Sequence, residues 1–66
     1  MISWADMDST DQMQTIHNMR QYGGHFAGYI GSALMHADSN NLQRLTAAFP
    51  DLIERYQPKN WSQQHA

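Results

Sequence analysis

Apolar residues recur with helical spacing along most of the chain, and the clearest pattern runs from Asp38 to Tyr56. Pro50 interrupts this stretch, because proline has no N–H and its ring crowds the preceding helical turn. The sequence therefore predicts a third helix capped by Asp38 or Ser39 and ending near Phe49, then a short fourth helix with Pro50 in its first position. At 100° per residue, six apolar side chains share about 100° of arc across both helices: Leu42, Leu45, Phe49, Leu52, Ile53 and Tyr56.

A first helix is predicted to begin near Ser9. Either Asp8 or Ser9 can cap it, and Ser9 with Gln12 has the spacing of a capping box. A broad apolar face follows, formed by Met13, Ile16, Met19 and Tyr22. Gly23-Gly24 is predicted to end the helix, since glycine readily adopts the left-handed conformation found at helix C-termini.

A second helix is predicted over residues 25–37, and we interpret it as the central helix. Its expected core face consists of Phe26, Ile30, Ala33, Leu34 and Ala37. The opposite side carries small residues and one methionine: Gly24, Gly28, Gly31 and Met35. Internal glycines cost about 1 kcal/mol each relative to alanine, so this side is expected to be a close helix contact. The pattern leaves open whether that contact lies within one chain or forms a dimer seam.

The fold class predicted is all-α: a small bundle of three helices plus a short fourth helix after Pro50. Residues 1–66 form one small domain, with residues 1–8 as a lead-in and residues 58–66 as a flexible tail that is polar apart from Trp61. A chain of this length has marginal stability on its own, and without cysteine it has no disulfide to stabilise it. We therefore expect a homodimer.

Charge and hydropathy narrow the possible partners. The net charge is −2 with only four Lys and Arg, so the phosphate contacts that drive nucleic-acid binding are scarce, and we do not expect nucleic acid as a partner. The start of the chain lacks the basic and apolar regions of a signal peptide. No apolar run approaches the roughly 20 residues that cross a bilayer. We expect a soluble, intracellular protein with no membrane association.

One polar line of the second helix could carry chemistry: His25, Tyr29, Ser32 and His36. The two histidines are roughly 16 Å apart at 1.5 Å per residue, so one metal ion cannot bind both. No phosphate-binding loop, dinucleotide fingerprint or paired zinc-histidine motif occurs. Ser32 and His36 are four residues apart and could touch, but neither an oxyanion donor nor a turn motif accompanies them, as a nucleophilic serine would require. We predict no catalytic residue, no cofactor, no metal and no enzyme activity.

A helix-turn-helix alternative remains open. The second and third helices could present Asn40, Asn41, Gln43 and Arg44 to base edges. The low basic count leaves few phosphate anchors for such a regulator.

A protein partner agrees better with the aromatic content, because Trp and Tyr are favoured interface anchors. The candidate interaction surface comprises Trp4, Tyr22, His25, Tyr29, His36 and Trp61.

One segment of the chain, residues 36–56, carries Ala37-Asp38, Asn41, Leu45, Ala48-Phe49-Pro50 and Tyr56. This segment resembles one found in small helical phage and prophage accessory proteins. The resemblance implies a mobile-element origin and action in the bacterial cytoplasm, and it carries over no catalytic residue. By analogy, it implies a binding inhibitor of a host protein complex, including complexes of antiviral defence. A minor virion structural or assembly protein is the further alternative.

Overall fold

The computed structural model describes residues 4–60, and these residues form helices without a strand. A short 3-10 turn precedes four α-helices: α1 Ser9–Tyr22, α2 Gly24–His36, α3 Ser39–Ala48 and α4 Pro50–Tyr56. The all-α prediction of three helices plus a short fourth after Pro50 is confirmed. No helix in the described part of the chain is long and apolar enough to cross a membrane.

Aspartate side chains cap two of the helices. Asp8 accepts a hydrogen bond from the Asp11 N–H at 2.8 Å, and Asp38 accepts one from the Asn41 N–H at the same distance. Each bond satisfies one of the backbone donors left free at a helix start. The Ser9–Gln12 capping box is wrong, because the Gln12 amide instead donates to the Trp4 carbonyl at 2.9 Å. That bond ties the lead-in to α1.

The two adjacent glycines between α1 and α2 are required for different reasons. Gly24 has φ +77°, a left-handed conformation that favours glycine. Gly23 has an ordinary φ, but a Cβ there would lie 2.5 Å from the Met19 carbonyl oxygen and 2.6 Å from the Ala27 Cβ. A larger residue at either position would disturb the sharp reversal of the chain.

The hydrophobic core lies mainly between α1, α2 and α4. Its buried cluster consists of Ile16, Met19, Ala27, Leu34 and Tyr56. Although the segment containing α3 has the clearest apolar periodicity in the sequence, α3 contributes no fully buried residue. Its leucines are half-buried and pack against the edge of the cluster. Helix α1 therefore takes the central position that the sequence assigned to α2.

The predicted core face of α2 is wrong at Phe26, whereas Leu34 is buried and Ile30 packs against the core as predicted. The buried residues are Ala27, Gly31 and Leu34, whereas Phe26 is 60% exposed. The buried side is rotated roughly 80° around the helix from the predicted one, at 100° per residue. The cause is Gly31, whose missing Cβ lets this helix approach α1 closely.

A buried polar contact fixes α4 against α1. The Asn18 side chain is 3% exposed and donates to the Tyr56 carbonyl at 3.0 Å. It also accepts a hydrogen bond from the Gln14 amide at 3.0 Å. Because a buried polar group costs free energy unless it is paired, these bonds specify where the last turn of α4 lies.

Candidate interaction surface

The outward side of α2 carries the most exposed aromatic residues in the described part of the chain. Tyr29 is 73% exposed and Phe26 is 60% exposed. The Tyr29 ring stacks on the exposed His25 ring, with centroids 6.4 Å apart and an interplanar angle of 23°. Large apolar rings left in water are unusual enough on so small a domain to indicate a contact surface.

The candidate surface residues predicted from the sequence do not all lie on this side. Tyr22, at the end of α1, is 51% exposed, and His36 is exposed at the end of α2. Trp4 is half-buried and packs against the core, so much of its ring supports the fold and is not available to a partner. Trp61 lies outside the described residues. Among the described residues, the two most exposed aromatic rings therefore lie on α2.

Sequence reasoning missed Phe26 because its spacing placed it in the core. In the structure its ring makes an edge-to-face contact with Phe49, with centroids 5.6 Å apart. Phe49 is the residue between α3 and α4, so this contact joins the start of α2 to the end of α3. The glycine content of α2 was the signal that could have corrected this rotation, because helices approach each other most closely at residues without a Cβ, here Gly31.

The four residues proposed as a packing or dimer seam separate into different environments. A Cβ at Gly31 would lie 3.1 Å from atoms of Arg20 and Met19, so Gly31 packs tightly on α1 of the same chain. Gly28 approaches the α1 backbone more loosely, with the nearest atom at 3.8 Å. Gly24 has open space around it.

Met35 is 40% exposed and accepts a long contact from the Arg20 guanidinium, 3.4 Å from Nη1 to Sδ. The close contact therefore lies within the chain at Gly31. The outer members of the set, Gly24 and Met35, take no part in it.

A groove of about 590 Å³ lies between the second half of α2 and α3. Its lining is Ala33, His36, Ala37, Asn41, Arg44, Leu45 and Ala48. Alanines and one leucine form the floor, and the polar side chains come from His36, Asn41 and Arg44. No carboxylate is among the lining residues.

A second, more polar groove of about 300 Å³ lies where α1 meets the start of α2. Its lining is Arg20, Gly24, His25, Gly28, Tyr29 and Ser32. Three members of the predicted polar line, His25, Tyr29 and Ser32, therefore border this groove, whereas His36 borders the other one. The polar line is thus divided between two surfaces and does not form one site.

Within residues 4–60 no group of three or more His, Asp or Glu side chains is arranged to hold a metal ion. The described geometry is that of exposed aromatic rings and open grooves.

Comparison of the chain with protein-family models, with curated proteins and with solved structures gave no match.

Proposed function

We propose that this chain is a phage-type protein-interaction module that acts by occupying a surface on a larger protein, as a binding inhibitor of a host protein complex. The observation that carries the proposal is the exposure of Phe26 and Tyr29 on one helix of a 66-residue domain. A rigid helix that presents aromatic rings loses little conformational entropy on binding, and such rings are common centres of binding energy.

The inhibitory role and the phage origin rest on the resemblance of residues 37–56 to phage accessory proteins. Antiviral defence complexes are one class of target that this analogy suggests. The proposed site of action is the bacterial cytoplasm, and the proposed free state is a homodimer.

The test is retention of a protein from a bacterial lysate on the immobilised chain, followed by mass spectrometry. Tyr29→Ser should reduce retention at least about tenfold, because interface aromatics commonly act as hot spots. Met13→Ser is the matched control, since Met13 is 58% exposed on α1, away from the proposed surface. If no protein is retained, or if the two variants reduce retention equally, the α2 surface is not the binding site.

Inhibition requires a further measurement on the retained protein. Its activity should fall as wild-type chain is added, and the same inhibition should require at least about ten times more of the Tyr29→Ser variant. Light scattering of the free chain tests the homodimer and separates it from a virion-assembly role, which predicts larger particles as concentration rises.

A DNA-binding regulator is the second candidate, and the exposure of α3 favours it. Asn40, Asn41, Gln43 and Arg44 are all exposed. These side chains are able to read base edges in a major groove. This candidate predicts a salt-sensitive gel shift that Arg44→Ala abolishes. Absence of a shift at low salt would exclude it.

A further inference from the structure

We infer that the groove between α2 and α3 binds an amphipathic helix that carries a carboxylate beside its apolar face. This inference rests on the proposed function, because it names the kind of partner and adds a docking groove that is separate from the groove bordered by Tyr29.

The shape of the groove favours a helix over a small molecule. The lining residues of α3 run from Asn41 to Ala48, a length of about 10 Å at 1.5 Å per residue. Alanines at positions 33, 37 and 48 leave an open trough between the two helices and do not enclose a ligand. Small-molecule sites bury most of the ligand surface, whereas a helix bound in a groove inserts only anchor side chains, spaced three or four residues apart. About two turns of a partner helix match this length.

The charge of the groove indicates the partner's polar edge. Arg44 is exposed at the lining, and no carboxylate shares the lining with it. The acid nearest to Arg44 in the sequence is Asp38. Its carboxylate accepts a hydrogen bond from the Asn41 N–H and so already interacts with the positive N-terminal end of α3. An arginine guanidinium can bind a carboxylate through two parallel hydrogen bonds. His36 and Asn41 add further possible donors near the groove.

The test uses a displayed library of helical peptides of about 14 residues, roughly four turns. Leucines occupy the anchor positions, and the flanking positions encode Glu, Gln or Lys in equal proportion. Against the full-length chain, selected peptides should contain Glu at one flanking position at least about tenfold more often than Lys, as expected for a charge-assisted hydrogen bond.

Matched variants locate the binding site of the best selected peptide. Ala48→Glu should weaken binding at least about tenfold by filling the groove with an opposing charge, whereas Ala47→Glu should leave it within about twofold. Both alanines are exposed on α3, and only Ala48 lines the groove. Arg44→Gln should remove the preference for Glu. Arg55→Gln, the same change at an exposed arginine outside the lining, should keep that preference.

Three results would overturn the inference: no enriched peptide, enrichment of Lys, or binding that responds equally to Ala48→Glu and Ala47→Glu. Self-association of the free chain that Ala48→Glu abolishes would also overturn it, since a second copy would then occupy the groove. Retention of a lysate protein that depends on Tyr29 but tolerates Ala48→Glu would leave the proposed function standing and reject only this docking site.

Discussion

Two glycines of α2, three residues apart, allow the close contact between α1 and α2 to be measured. Gly28 and Gly31 both lie inside the helix, so replacing either with alanine should stabilise α2 by about 1 kcal/mol through helix propensity. Their surroundings differ. A Cβ at Gly28 meets nothing closer than 3.8 Å, whereas a Cβ at Gly31 lies 3.1 Å from the Arg20 Cγ and from the Met19 Cβ.

Gly31→Ala should therefore lose at least as much stability through crowding as it gains through helix propensity. Its Cβ would also lie 3.2 Å from the Ile16 carbonyl oxygen. Overpacking a filled contact costs about 1–3 kcal/mol, so the net change should range from neutral to a loss of about 2 kcal/mol. Gly28→Ala should raise stability by up to about 1 kcal/mol. Because the propensity gain is common to both variants, the difference between their free energies of unfolding isolates the packing cost.

Urea denaturation followed by far-UV circular dichroism measures both free energies. For a domain of this size, 1 kcal/mol also shifts the melting temperature by about 4–8 °C. Repeating the measurement at several protein concentrations separates a contact within the chain from one between subunits, since only the latter depends on concentration. Equal stabilisation by Gly28→Ala and Gly31→Ala would refute the close approach of α2 to α1.

Three further predictions test the fold. Asn18→Ala should lower the free energy of unfolding by about 1–3 kcal/mol, because it leaves a buried α4 carbonyl without its donor. Asp8→Ala should lower the free energy of unfolding by about 1 kcal/mol and Ser9→Ala by much less. A larger loss for Ser9→Ala would instead support the predicted Ser9–Gln12 capping box. Leu34→Ala should cost about 2–5 kcal/mol, whereas Phe26→Ala should cost about 0.5–1.5 kcal/mol, the value of an aromatic pair. Urea denaturation measures each of these free energies. A larger loss for Phe26→Ala than for Leu34→Ala would support the core position that the sequence predicted for Phe26.

Part of the candidate surface could be predicted from the sequence. Tyr29 and His25 were identifiable because polar and aromatic residues at helical spacing indicate an outward side, and both are exposed. Phe26 was not, since its spacing equally suits a core position. The α2–α3 groove was also missed, because it depends on how far apart two separately predicted helices lie.

The sequence by itself determined where the helices begin and end. Asp8, Asp38, Gly23-Gly24 and Pro50 act on the backbone within a few residues of themselves, so their effects can be read without knowing the fold. The resulting order of four helices is the one observed.

Only the tertiary structure decided which side of α2 is buried. Apolar periodicity weights large side chains, and on α2 it favours the side containing Phe26 and Ile30. Packing instead depends on how closely two backbones can approach, and Gly31 permits the closest contact with α1. The helix therefore turns Ala27, Gly31 and Leu34 inward, and Phe26 and Tyr29 remain exposed as the candidate contact surface.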